Sequence, residues 1–100
     1  MSEYVLRAEV DGPTIWTPEG EPVDPRALPL SSRLLEALDD WAAFLDDVGG
    51  EISDHDVMDA FVSQGFRIAH AMRRELKGRT VWLQRLDTDE RVLIENRTPR

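Results

Sequence analysis

The chain has 100 residues, which is enough for one domain with a single hydrophobic core that needs no disulfide or metal to hold it together. It contains no cysteine, which excludes a disulfide framework and any metal site built from thiolates. The formal net charge of −8 argues against DNA, RNA and anionic membranes, which are all negatively charged, and suits a basic protein partner. We therefore expect a single domain over residues 1–100.

Targeting signals and membrane spans have no counterpart in the sequence. The first residues, Met1, Ser2, Glu3 and Tyr4, do not begin a basic region followed by a long apolar run. No apolar run approaches the roughly 20 residues that are needed to cross a bilayer. We therefore expect a cytoplasmic protein with neither a membrane nor a nucleic acid as its partner.

The first third of the chain predicts a β-hairpin followed by an irregular connector. Residues 4–10 alternate in hydrophobicity as a half-buried strand does, and residues 14–17 can return as a short second strand. Asp11 and Gly12 between them are a typical hairpin turn. Residues 18–29 are rich in proline and predict an ordered connector without regular secondary structure.

The first of two amphipathic helices follows this connector. Ser31 or Ser32 is the expected N-cap, and Gly49 and Gly50 end the helix. Large hydrophobic residues recur at spacings of three and four, which predicts one buried stripe. The stripe consists of Leu34, Leu38, Trp41, Leu45 and Val48.

The second helix is predicted over residues 54–77, where the local signals agree with one another. Ser53 is the expected N-cap, and Gly78 is the expected C-terminal stop. The link between the two helices is only about residues 49–53, and a link this short makes antiparallel neighbours of the helices it joins.

A second hairpin closes the chain. Residues 80–86 and 91–95 have the composition of strands, and residues 87–90 form the turn between them. The predicted order is therefore ββααββ. This order predicts a two-layer α+β fold, in which an antiparallel sheet of about four strands carries two antiparallel helices on one face.

The segregation of charge is the most informative feature for function. Between Arg33 and Arg67 there are nine acidic residues and no Lys or Arg. Antiparallel helices would gather the acids near the link at one end of the molecule. Asp46 and Asp47 would lie in the last turn of the first helix, where each negative charge is unfavourable by roughly 0.3–1 kcal/mol. A local rule that is broken without visible compensation indicates a functional site.

We therefore predict that this acidic end binds a basic surface on a partner protein. The candidate binding residues are Asp46, Asp47, Glu51, Asp54, Asp56 and Asp59. The alternative is that these acids form only a solvated surface, with the amino end of the second helix compensating the charge at the end of the first.

The tryptophans supply a second candidate interface. Trp41 lies on the core stripe of the first helix and is expected to be buried. Trp82 alternates with Val81 and Leu83 along a predicted strand, so it lies on the opposite face of the sheet from them. If the helices cover Val81 and Leu83, Trp82 lies on the open face and is an interface candidate.

Catalytic and metal chemistry is poorly supported. The run Asp54, His55 and Asp56 does not have the spacing of a calcium-binding loop, and no two histidines have the helical spacing of a zinc site. Ser53 and Ser63 lie near His55 in sequence, but one is the expected cap and the other lies on an outer helix face. We therefore expect no catalytic residues, no metal and no cofactor.

The chain resembles a set of small actinobacterial proteins that have no assigned activity. The likeness covers roughly residues 15–86 and rests on a W-x-x-x-G-x-x-V-D, L-P-L-S and L-x-x-W pattern, followed by a G-x-x-x-A helix. Its elements here begin at Trp16, Leu28, Leu38 and Gly65. The resemblance implies a compact bacterial cytoplasmic domain and no particular reaction.

The sequence thus favours a non-enzymatic acidic protein-binding module, of the kind that immunity proteins and antitoxins represent. The alternative is a self-associating structural or accessory protein, with Trp82 and the C-terminal hairpin in a homodimer interface. A small enzyme of unknown reaction is the third reading.

Overall fold

The computed structural model describes residues 3–95, which form an α+β fold of two helices and a five-stranded mixed sheet. The elements are β1 (Glu3–Leu6), β2 (Ile15–Trp16), β3 (Pro22–Val23), a 3₁₀ turn (Pro25–Ala27), α1 (Ser32–Asp47), α2 (His55–Glu75), β4 (Thr80–Gln84) and β5 (Arg91–Ile94). The strands are arranged in the order β3-β2-β1-β4-β5.

The sheet differs from the predicted antiparallel sheet of about four strands, and the predicted order ββααββ is wrong by one strand. The missed strand is β3, whose two residues pair with β2 after a turn at Gly20, where φ is +94°. Pro22 is tolerated there because β3 is an edge strand and needs no donor on its outer side. Two residues are too few to produce a hydrophobic pattern in the sequence.

The pairing of β1 with β4 is parallel, so the prediction of antiparallel pairing throughout is also wrong. Parallel strands need a long crossover between them, and the helical hairpin provides it here. The register pairs Glu3 with Thr80 and Leu6 with Leu83. β1 is consequently the central strand, with β2 on its other side.

The helices begin and end close to the predicted positions. The Ser31 hydroxyl caps α1 by accepting a hydrogen bond from the Leu34 N–H, at 3.2 Å. The N-cap of α2 is Asp54, which accepts from the Val57 N–H at 3.1 Å, so the prediction of Ser53 was wrong by one residue. Asp is as strong an N-cap as Ser, and its charge also suits the positive end of the helix dipole.

The two helices are antiparallel neighbours, as predicted. The amino end of α1 meets the carboxyl end of α2 where Glu75 accepts hydrogen bonds from the Ser31 N–H and hydroxyl, at 2.6 and 2.9 Å. Halfway along, the rings of Trp41 and Phe61 stack with their centroids 4.8 Å apart. The remaining ends are joined by the short link after α1.

Both helices share one core with the same face of the sheet. Trp41 is 4% exposed, as expected of a core residue, and its indole N–H donates to the Phe61 carbonyl at 3.0 Å. A Cβ at Gly65 would lie 2.9 Å from the Trp41 ring and 3.3 Å from the Leu83 side chain. The absence of a side chain at Gly65 therefore allows α1, α2 and β4 to pack closely at this point. Within residues 3–95, no helix has the length and apolar character of a membrane span.

Candidate functional site

The predicted acidic residues lie at one end of the helical hairpin. Asp46 and Asp47 are in the last turn of α1, Glu51 is in the link, and the other three lie in or just before the first turns of α2. The other three are Asp54, Asp56 and Asp59, and all six residues are exposed. Trp82 lies elsewhere, on β4, so the predicted site residues divide into two surfaces.

Asp46 has a structural partner that the sequence did not reveal. Its Oδ1 accepts a hydrogen bond from the N–H of Asp11, at 2.9 Å. Asp11 lies in the β1–β2 hairpin turn with φ of +54°, and the side chain of Val10 lies against Gly50 in the link. The unfavourable position of Asp46 at the end of α1 is therefore compensated by a contact that fixes the hairpin to the helix end.

Asp54 and Asp59 also have partners. Asp54 is the N-cap of α2, and Asp59 lies 3.5 Å from the imidazole of His55 one turn earlier, a pair that is ionic only when the histidine is protonated. The side chains of the remaining three acids have no hydrogen-bond or ion-pair partner within residues 3–95. These three, Asp47, Glu51 and Asp56, are called the unpaired acids below.

An apolar groove of about 520 Å³ lies between α1 and α2 beside the unpaired acids. Phe44 and Val57 are on its walls and remain 40% and 37% exposed, so two large hydrophobic side chains of the same groove are in contact with solvent. Phe44 stacks on Phe61 with ring centroids 6.0 Å apart. The lining residues are Asp40, Trp41, Phe44, Asp56, Val57, Ala60, Phe61 and Gln64.

The groove was missed at the level of the sequence because Phe44 and Val57 belong to apolar helical stripes. Such stripes predict burial. The sequence does not reveal which part of a stripe stays uncovered, and here Phe44 and Val57 lie in such parts of α1 and α2. Asp40 and Asp56 are the only ionisable residues that line the groove, so its charge is negative. The groove thus combines an apolar floor with carboxylates, and Asp56 belongs to it and to the unpaired acids.

Trp82 lies on the face of the sheet that the helices leave open. Val81 and Leu83 are 0% and 1% exposed beneath the helices, whereas Trp82 points to the other side and donates its indole N–H to Glu3 at 3.3 Å. The cross-strand neighbour of Trp82 on β5 is Leu93, which is 44% exposed.

Two tryptophans flank the centre of this open face. Val5 on β1 pairs with Trp16 on one side and Trp82 on the other, and is only 1% exposed although it lies outside the core that the helices share with the sheet. The guanidinium of Arg7 lies 4.1 Å from the ring centroid of Trp16, as a cation–π contact requires. The open face therefore exposes apolar surface chiefly at Leu93.

Metal ligands do not converge in the part of the chain that the structure describes: no group of three or more His, Asp or Glu side chains there is arranged to hold an ion. Ser53, His55 and Ser63 are all exposed. A scan against protein-family models and a search of curated proteins both find no match for the chain. The likeness to small actinobacterial proteins thus rests on the sequence pattern alone.

Proposed function

We propose that this protein is a non-enzymatic binding module of the immunity or antitoxin type, whose acidic end binds a basic partner protein. The observation that carries the proposal is the apolar groove beside the unpaired acids. A charged surface alone is common on soluble proteins, but a charged surface next to exposed Phe44 and Val57 has the composition of an interface.

The two parts of the site would contribute differently to binding. Carboxylates on the rim attract a basic surface over several ångströms and chiefly raise the association rate. The aromatic floor, with Phe44 over Phe61, loses water when a partner side chain fills it and chiefly slows dissociation. Binding should therefore weaken at high salt without disappearing.

Affinity capture from the native cell extract tests this function. Wild-type protein is compared with the double variant Asp47→Lys/Glu51→Lys, which reverses two unpaired acids and leaves the Asp46 and Asp54 hydrogen bonds intact. The matched control is Glu19→Lys/Glu21→Lys, which makes the same change of net charge at the exposed turn between β2 and β3.

The expected result is a basic protein that is retained by wild type and by the control and lost from the Asp47/Glu51 variant. Equal retention by all three proteins would show that the acidic end does not bind the partner. Retention by none of them, with a self-associated wild-type protein, would instead favour the second candidate.

The second candidate is a homodimer formed through the C-terminal hairpin. It is favoured by the exposure of Leu93 beside Trp82, on the sheet face that neither helix covers. Light scattering at micromolar concentration tests it with Leu93→Glu, which places a charge in the centre of such an interface. A wild-type dimer that becomes a monomer in this variant would support the homodimer, and a wild-type monomer would exclude it.

A further inference from the structure

A second depression, of about 270 Å³, lies between α1 and α2 toward the opposite end of the hairpin. Gln64 lines both, so the two depressions adjoin at this residue, and together they are called the seam between the helices below. The lining of the second part is Ser31, Arg33, Leu34, Ala37, Gln64, Arg67, Ile68, Ala71, Arg74 and Glu75.

The charge of this seam changes sign along its length. At one end the ionisable residues are Asp40 and Asp56, and at the other end they are three arginines and Glu75. The carboxylate of Glu75 is already bound to Ser31. The three arginines are Arg33, Arg67 and Arg74, and their guanidinium groups have no hydrogen-bond or ion-pair partner within residues 3–95.

The dimensions of the seam suit a helix. From Arg33 to Phe44 along α1 the distance is about 17 Å at 1.5 Å per residue, which is the length of three helical turns. Ala37, Ala60 and Ala71 line it with small side chains that allow another backbone to approach closely. An extended strand would find no sheet edge there with which to pair, whereas a helix satisfies its own backbone hydrogen bonds.

We propose that the seam binds an amphipathic α-helix of the partner protein, with the amino-terminal, basic end of that helix over Asp40 and Asp56. This inference rests on the proposed function and adds the shape and direction of the ligand. The direction follows from charge, because the positive end of the bound helix dipole then faces the carboxylates and the negative end faces Arg67 and Arg74. Phe44 and Val57 receive a large apolar side chain from the first turns of the bound helix.

A library of random three-turn helical peptides, displayed on phage, is the probe for this proposal. Peptides selected on the wild-type protein should carry one apolar stripe, Lys or Arg in the first turn and Asp or Glu in the last. Selection on Ala60→Trp, which fills the seam at an exposed position, should not enrich them. Selected sequences without this order of charges, or equal enrichment on Ala60→Trp, would overturn the proposal.

One selected peptide is then measured by fluorescence anisotropy against charge variants. Asp40→Lys/Asp56→Lys should weaken its binding by about tenfold or more at low salt, because two favourable charges become repulsive. Glu19→Lys/Glu21→Lys is the matched control, because it makes the same change of net charge at exposed residues outside the seam lining, and it should change the affinity little. Circular dichroism establishes that each variant is folded, and unchanged affinity in the Asp40/Asp56 variant would contradict the proposed direction.

Two further outcomes separate this inference from the proposed function. Loss of the native partner from Asp47→Lys/Glu51→Lys but not from Ala60→Trp would overturn the helix-binding seam and leave the acidic end as the binding site. A wild-type dimer that Ala60→Trp converts to a monomer would show that a second copy of this chain occupies the seam, and would overturn the proposal as well.

Discussion

The two ends of the helical hairpin both carry a carboxylate in the last turn of a helix, but they differ in how much of their charge is satisfied. At one end Glu75 of α2 accepts two hydrogen bonds from Ser31, the N-cap of α1, so its charge lies at the positive end of another helix dipole. At the other end Asp46 is bound to Asp11, but Asp47, Glu51 and Asp56 have no such partner within residues 3–95.

Some of these carboxylates stabilise the fold through hydrogen bonds, whereas others have no partner within residues 3–95. A carboxylate at a helix carboxyl end is unfavourable for its own helix in both cases. Glu75 and Asp46 are compensated by N–H groups that are distant in sequence. Asp47 has no such partner within residues 3–95, and the binding role proposed above would give its position a reason that the contacts of the fold do not supply.

Gly65→Val should have the largest effect on stability, because it changes the distance between α1 and α2 on which both ends of the helical hairpin depend. Its side chain would collide with the rigid ring of Trp41 and with Leu83, against which even a Cβ lies at 2.9 and 3.3 Å. We expect a loss of about 3 kcal/mol in the free energy of unfolding, measured by urea denaturation. Wild-type stability in this variant would mean that the helices can separate without cost.

Glu75→Ala should have the next largest effect on stability. It removes the acceptor for the Ser31 N–H and hydroxyl, and we expect a loss of about 1.5 kcal/mol in the free energy of unfolding. Glu75→Gln keeps one acceptor without the charge and serves as the control, with a smaller loss. If both variants lose the same amount, the charge of Glu75 contributes nothing to the contact.

Asp46→Ala and Asp47→Ala should change the free energy of unfolding in opposite directions, although the two residues are adjacent. Asp46→Ala removes the hydrogen bond to Asp11, and we expect a loss of about 1 kcal/mol. Asp47→Ala removes only an unfavourable charge at the end of α1, and we expect a gain of about 0.3 kcal/mol. Thermal unfolding of the two variants side by side is the measurement, and a clear loss in Asp47→Ala would show that this residue has a structural role after all.

The smallest effect on stability is expected at Asp87, a paired carboxylate outside the helical hairpin. Two hydrogen bonds from the Arg85 guanidinium, at 2.9 and 3.0 Å, hold the pKa of Asp87 below its ordinary value. Because the folded-state pKa is depressed, the stabilisation is present above the unfolded pKa of about 4 and is lost as the pH falls through the lower folded value. The stability difference between wild type and Asp87→Asn should therefore be small at pH 7 and vanish once the pH lies below the folded-state pKa of Asp87. A difference that persists there would mean that the contact does not depend on the charge of Asp87.

The helices, their direction and the last hairpin could be predicted from the sequence because each rests on signals within a few residues. Caps, helical stripes and the short link are signals of this kind. The predicted N-cap of α2, Ser53, was wrong by only one residue, because the N-cap in the structure is Asp54. β3 was missed because two residues carry no pattern, and the parallel pairing of β1 with β4 joins opposite ends of the chain.

The candidate site was predictable only in part, because some of its contacts join residues that are distant in sequence. The position of the acids followed from the antiparallel helices, but the partner of Asp46 lies 35 residues away and that of Glu75 lies 44 residues away. The groove at Phe44 and Val57 depends on which helical surface remains uncovered, and periodicity gives no information about that.

The parallel contact between β1 and β4 also has a consequence for how the chain reaches its native state. The central strand at Glu3–Leu6 is synthesised before both helices, and its neighbour at Thr80–Gln84 is synthesised after them. Until β4 is in place, the apolar stripes of α1 and α2 lack the part of the sheet that Val81 and Leu83 provide. We expect final closure of the sheet to limit the rate of folding, because contacts between such distant segments must overcome the largest loss of chain entropy.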